Sequence, residues 1–313
     1  MIQVQRMGHA TVSTTDLTKS LAYYRDVNGL VEAGRDGNTV YLASKIGQLT
    51  MTLTAGDVSD CVKLSFEVAP GSDFAQMKKA LADEGIASDI KSDPFPGTRR
   101  ALSLKDIKGT TIELFDAWDF LSDNRKVAGI GPLKLGHVAF YVSDIPRVVD
   151  FYERVLGFRV SDWIGDFFVF MRCNSDHHSV NFFKGDATFV HHMAFELKDI
   201  AHMQEGCESL AMARIPLTWG PMRHGPGHNM AIYHRNPDDH VIEHYCELDQ
   251  MRSEALGYFE PRPWHTDRPQ RPKTWEPGKW LSGWGLRPTP DHTRGPRQSA
   301  EISALHQRAG SRG

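Results

Sequence analysis

The chain has 313 residues, a length that points to about two domains. Apolar residues make up 40% and charged residues 24%, and the formal net charge is −3. This balance excludes a largely disordered chain and offers no basic surplus for nucleic acid or a membrane surface. No run of eighteen apolar residues occurs, which excludes a transmembrane helix. None of Cys61, Cys173, Cys207 and Cys246 forms a CxxC pair, so no disulfide framework or zinc knuckle is indicated. The N-terminus reads as a strand and not as a leader, and the expectation is a reducing, cytoplasmic setting.

In chain order, Gly8-His9-Ala10-Thr11-Val12 opens a strand and Asp16 to Asp26 reads as a helix. Short alternating strands follow, among them Thr39–Ala43. A second strand–helix–strands unit begins near Val62. A linker falls near Ser122-Asp123-Asn124-Arg125-Lys126. Gly136-His137-Val138-Ala139-Phe140 then opens a strand, Asp144 to Leu156 reads as a helix, and Phe167–Met171 as a strand. A last unit begins at His191. Asp16 and Asp144 fit helix caps, and Gly29 and Gly157 fit helix stops.

These elements repeat. The glycine–histidine strands lie 128 residues apart, as do Tyr23-Tyr24 and Phe151-Tyr152. Leu64-Ser65-Phe66-Glu67-Val68 matches Met193-Ala194-Phe195-Glu196-Leu197 at 129, and Thr111-Ile112-Glu113-Leu114 matches Val241-Ile242-Glu243-His244 at 130. The reading is α+β: four βαβββ modules, with antiparallel strands, paired into two related domains over 1–120 and 133–250. Residues 251–313 form a separate arm. Eight of the 17 prolines and four of the seven tryptophans fall between Pro261 and Pro296, so neither long helices nor central strands are expected there. The arm is expected to wrap over the body or a neighbouring subunit, or to cover part of a site; from about Thr293 it reads as disordered.

Of 15 histidines, 11 lie between His137 and His244; because surface histidines are common, their spacing must carry any reading of metal or proton chemistry. His137 opens the third module, His192 the fourth, and Glu243 lies on the last strand. Two imidazoles and one carboxylate suit one face of a non-heme iron and leave three positions open. The first-half counterparts are His9, Lys63 and Glu113. A protonated lysine has no lone pair, so that half is expected to bind no metal. Successive strand residues face opposite ways, and the alignment with Lys63 selects His192 over His191.

Two further segments carry polar side chains: Cys173-Asn174-Ser175-Asp176-His177-His178, and Met222-Arg223-His224-Gly225 continuing through Tyr233 and Asn236-Pro237-Asp238-Asp239 to Glu243. With these, residues 5–250, most strongly 133–247, resemble the type I extradiol ring-cleaving dioxygenases of the vicinal oxygen chelate superfamily. The resemblance implies His137, His192 and Glu243 as ligands of Fe(II), with Mn(II) possible because the ligand set does not choose between them. It implies His178 as acid/base, and His224 and Tyr233 as partners of a substrate hydroxyl. It also implies a catecholic substrate, O2, a muconate-type semialdehyde product and a homo-oligomer. One departure is Asp239, where the family usually has glycine; aspartate tolerates the left-handed turn. The first-half counterparts of His178 and Tyr233 are Thr50 and Ser103. Some of Phe167, Phe168, Phe170 and Phe182 are expected to line a pocket, and the roles of His177 and His228 stay open. A glyoxalase-like lyase or isomerase, or a metal-free binding protein, is the alternative within the same superfamily.

Overall fold

The computed structural model describes residues 2–121, 128–260, 267–278 and 283–295. The expected linker at 122–126 and the tail beyond 295 lie outside the described residues. Four modules of strand, helix and three strands follow one another. The first contains β1 (Val4–Thr14), α1 (Leu17–Ala22), β2 (Val31–Asp36), β3 (Thr39–Ala43) and β4 (Leu49–Ala55). The second contains β5 (Asp60–Val68), α2 (Phe74–Asp83), β6 (Ser88–Phe95), β7 (Thr98–Lys105) and β8 (Thr111–Phe115). The third contains β9 (Lys134–Val142), α3 (Ile145–Arg154), β10 (Arg159–Ile164), β11 (Phe168–Arg172) and β12 (Val180–Lys184). The fourth contains β13 (Phe189–Glu196), α4 (Ile200–Met212), β14 (Trp219–Arg223), β15 (Met230–Arg235) and β16 (Val241–Cys246).

Two sheets result. The first has the order β2-β3-β4-β1-β5-β8-β7-β6. The second repeats it as β10-β11-β12-β9-β13-β16-β15-β14 and gains a short strand at each end. The strands are not antiparallel throughout, as the sequence reading had them. The first and last strands of each module are parallel neighbours: β1 with β4, β5 with β8, β9 with β12 and β13 with β16. The helix in each module supplies the long crossover that a parallel pair needs. By contact density the chain forms two compact units, Met1–Leu135 with Pro146–Arg159, and Gly136–Ile145 with Val160–Gly313. Most of α3 thus groups with the first unit, where Tyr152 donates a hydrogen bond to Asp106 (2.9 Å).

Local chemistry explains several repeated residues. Asp16 caps α1 by accepting the backbone N–H of Lys19 at 3.0 Å. The glycine before each strand-opening histidine is demanded by close approach. A Cβ on Gly136 would stand 1.7 Å from the Tyr245 hydroxyl, and one on Gly8 would stand 2.6 Å from the Phe115 ring. In both units an aromatic of the closing strand therefore lies over the first strand. Phe66 fills the first core; Phe140, Phe182 and Phe195 fill the second, all essentially inaccessible. Burial of each stabilises the fold by about 2–3 kcal/mol.

The arm adds to the edges of the second sheet. β17 (Lys273–Trp275) runs parallel to β10, and β18 (Trp284–Gly285) pairs with β14. A single turn, α5 (Pro290–Thr293), follows. Edge strands and one turn are what a proline-dense segment can form. Among the described residues no helix is long and apolar enough to cross a membrane, and all four cysteines are free thiols.

Candidate metal centre and the cavity beside it

Strands β9, β13 and β16 are neighbours in the second sheet, and their pleat turns His137, His192 and Glu243 to one face. His137 Nε2 lies 3.1 Å from His192 Nε2 and 3.1 Å from Glu243 Oε2; His192 Nε2 lies 3.3 Å from the same oxygen. All three side chains are buried. Donors held about 2.1 Å from one centre at right angles stand about 3.0 Å apart, so this triangle has the dimensions of one face of a metal site. Its chemistry agrees. Lone pairs of two imidazoles and a carboxylate converge on one point, which only a proton or a cation reconciles.

The surroundings orient these donors. Asn229 donates to Glu243 Oε1 at 2.9 Å, which leaves Oε2 for the triangle. Burial raises the Glu243 carboxyl, but His137, then His224 and a hydrogen bond from Tyr233, outweigh it and hold the group below its ordinary value. His191 Nδ1 lies 2.5 Å from His192 Nδ1. Asn229 falls within the segment from Met222 to Glu243, but no spacing marks it as a partner of Glu243.

A cavity of about 240 Å³ opens beside the triangle, with Phe168, Phe170, Phe183 and Trp219 in its walls. Phe182 faces the core and Phe167 packs behind Phe168, so of the four expected phenylalanines two line the cavity. His178 reaches the cavity just before β12, its ring centroid 4.2 Å from that of His137. Burial, and then the neighbouring histidines, push its pKa well below the ordinary imidazole value. Tyr233 and His224 stand on another side of the cavity, the Tyr233 hydroxyl 2.6 Å from His224 Nε2. Burial and the nearby Glu243 carboxylate raise the Tyr233 phenol far above its ordinary value, so it remains a donor. The Asn181 carboxamide also lines the cavity, its oxygen buried without a partner.

The arm contributes a residue that spacing could not reveal. His292 of α5 lines the cavity, bonded to Thr218 (3.2 Å) and packed against Trp219 and Tyr233. Burial lowers its pKa to about 4. The anchor of this turn is the residue that departs from the family pattern. Asp239 adopts the left-handed conformation (φ 67°), and Arg294 grips its two oxygens at 2.6 Å each. His228 lies away from the cavity and is buried, with Nδ1 2.6 Å from Asp249 Oδ2.

In the first unit the same register brings together different chemistry. Ser65 pairs with Glu113 across β5 and β8 as Ala194 pairs with Glu243 across β13 and β16. Lys63 therefore stands where His192 stands. Its ammonium lies 2.7 Å from Glu113 Oε1, and His9 bonds Ser65 at 3.1 Å. Phe95 packs edge-on against His9 and leaves a void of only about 10 Å³. Ser103 opposes Glu113 as Tyr233 opposes Glu243. Val180 pairs with Val138 as Met51 pairs with Ala10, so counting back makes Leu49, not Thr50, the counterpart of His178.

Residues 134–244 match the Glyoxalase/Bleomycin resistance protein/Dioxygenase superfamily. With its four modules the chain has the vicinal oxygen chelate fold, and over most of its length it is similar to extradiol dioxygenases. It is 31% identical to metapyrocatechase 2 of Cupriavidus necator over 128 residues, 40% of each chain. It is 24% identical to metapyrocatechase of Pseudomonas sp. strain CF600, covering 79% of this chain and 87% of that one. It is 21% identical to an iron-dependent extradiol dioxygenase of Rhodococcus jostii, covering 81% and 93%. Among solved structures, homoprotocatechuate 2,3-dioxygenase of Brevibacterium fuscum superposes with a TM-score of 0.77 at 26% identity over 94% and 93%. A Mn(II)-bound glyoxalase of Novosphingobium aromaticivorans superposes with 0.79 at 23% identity over 95% and 96%, a likeness of fold.

Proposed function

We propose that this protein opens the ring of a catechol beside its two hydroxyls, adding both atoms of O2 and releasing a muconate-type semialdehyde. The observation that carries the reading is the buried His137–His192–Glu243 triangle at one end of an aromatic-walled cavity that also receives His178, His224 and Tyr233. We assign the three as ligands of Fe(II), with Mn(II) as the other metal the donor set accepts. The second half, 133–250, is then the catalytic domain and 1–120 the metal-free one. We place the enzyme, a homo-oligomer, in the cytoplasm, a setting that four free thiols suit.

The metal supplies redox contact with O2 and a positive charge that favours the ionised catechol. The protein does the rest. Phe168, Phe170 and Phe183 exclude water and hold the ring. His178 is neutral at rest, because burial disfavours its charged form, so its ring accepts a proton from a substrate hydroxyl and returns it to a reacting oxygen. Tyr233 donates from its phenol to the bound oxygen of the substrate, and His224 holds the phenol in line.

The cavity also selects. Among the described residues that line it there is no lysine or arginine, and His292 is neutral near pH 7. A ring bearing a carboxylate would lose its hydration without meeting a lysine or arginine side chain among them. The substrate class is therefore an uncharged catechol with an apolar substituent. The test is kcat/KM of the iron-loaded protein on 3-methylcatechol and 3-phenylcatechol against 3,4-dihydroxyphenylacetate and 2,3-dihydroxybenzoate. The neutral pair should lead by at least about tenfold, the factor that 1.4 kcal/mol of uncompensated desolvation gives. Equal or reversed values would contradict the assigned class, and no turnover of any catechol would contradict the reaction.

A further inference from the structure

One ring nitrogen of His178 serves the cavity only if the other is held. His178 Nδ1 lies 2.9 Å from His177 Nδ1, and His177 Nε2 lies 3.0 Å from Asp162 Oδ2. All three residues are buried. The Asp162 carboxylate also accepts the Trp275 indole N–H at Oδ2 (2.8 Å) and the Lys273 backbone N–H at Oδ1 (2.9 Å), both from β17 of the arm. The Phe259 ring lies against His177, its centroid 4.7 Å away.

The order of protons along this row follows from elementary inventory. A carboxylate only accepts, so the His177 nitrogen facing it, Nε2, carries the proton. Taken as a neutral imidazole, His177 has one N–H, and its Nδ1 is then an acceptor. The nitrogen facing it, His178 Nδ1, must then donate. The lone pair of His178 is left on Nε2, the nitrogen turned away from His177.

We propose that Asp162 and His177, braced by Trp275, form a positioning relay that keeps His178 in its Nδ1–H tautomer with Nε2 as the proton acceptor. The proposal rests on the role given to His178 above. The row fixes the orientation of the His178 ring and leaves the Nε2 lone pair on the side away from His177. Neither Asp162 nor His177 lines the cavity; both act through His178. The arm thereby acquires a task at the site, since two of the three donors to Asp162 come from it or depend on it.

Asp162→Asn is the decisive variant. With its oxygen kept on the Lys273 N–H, its carboxamide keeps the shape but turns an N–H toward His177 Nε2 and gives up the bond from the Trp275 indole, which reverses the row and leaves the His178 proton on Nε2. In metal-free protein labelled with 15N-histidine, two-bond 1H–15N correlations report the tautomer of each ring, and the His178 signals are those lost in His178→Gln. The wild type is expected to show His178 as Nδ1–H and Asp162→Asn as Nε2–H. In the metal-loaded protein, Asp162→Asn and His177→Phe should lower kcat at least about tenfold with KM and metal content within about twofold, and Asp162→Glu should restore part of the loss. Because Asp162→Asn is isosteric, a folding failure of His177→Phe does not stop the test. A wild-type Nε2–H tautomer, or one unchanged by Asp162→Asn, would overturn the relay. Unchanged turnover in His178→Gln would instead overturn the role of His178, and the relay's purpose with it.

Discussion

Replacing His178 by glutamine separates holding a metal from moving a proton. The glutamine keeps a polar side chain against His137 but has no nitrogen that accepts and returns a proton. Turnover should fall by about 10²–10⁴, the usual contribution of a positioned acid/base, while bound metal stays at one ion per chain. Unchanged kcat would remove His178 from the reaction. Glu243→Ala has the opposite expected signature, loss of the metal itself, because Oε2 is the common end of two of the triangle's three contacts. Metal retained at full stoichiometry would contradict that ligand assignment. The triad was legible in the sequence because the internal repeat offered a comparison within one chain, in which Lys63 marks what the second half has instead. Asn229, Asn181 and the Asp162–His177 pair were not legible. Their roles arise from hydrogen bonds and packing made where segments meet, and neither periodicity nor spacing encodes those meetings.

The strands that carry the site are legible as alternating patterns, and all four modules match the order read from the sequence. What alternation did not reveal is direction. Parallel pairing of first and last strands in each module depends on the helical crossover, which a pattern of period two does not contain. The arm shows the same limit. Among its described residues the arm forms edge strands and short turns, and the contact of α5 with the cavity depends on one side chain, Arg294, meeting Asp239 in its left-handed turn. Arg294→Ala should release that turn and with it His292. The expected result is a KM for the catechol raised by about fivefold, the factor that about 1 kcal/mol of lost ordering gives, with metal content unchanged. An unchanged KM would show that α5 does not help form the binding site.

Both units bury histidines that their surroundings keep neutral, and this couples stability to pH. Burial, aided by Lys63, lowers His9 to about 3, and burial lowers His234 to about 3. The folded values lie below the unfolded value, so the unfolded chain binds protons that the folded chain refuses. Stability is then complete above about pH 6.5 and is lost as pH falls from there toward 3. At pH 5 each such group costs about 2 kcal/mol. Urea midpoints measured between pH 7.5 and 5 should fall, and His9→Gln should flatten the fall in the first unit while leaving bound metal unchanged. A pH-independent midpoint would contradict the burial of neutral imidazole. The assigned chemistry itself is tested most directly by supplying 18O2 to the anaerobically iron-loaded protein with 3-methylcatechol and weighing the product. Both labelled oxygen atoms should appear in a yellow ring-opened hydroxymuconate-type acid, one molecule of O2 being consumed per catechol. A product without label, or no consumption of O2 with any metal supplied, would contradict ring cleavage and point to the lyase or isomerase chemistry that the same fold supports.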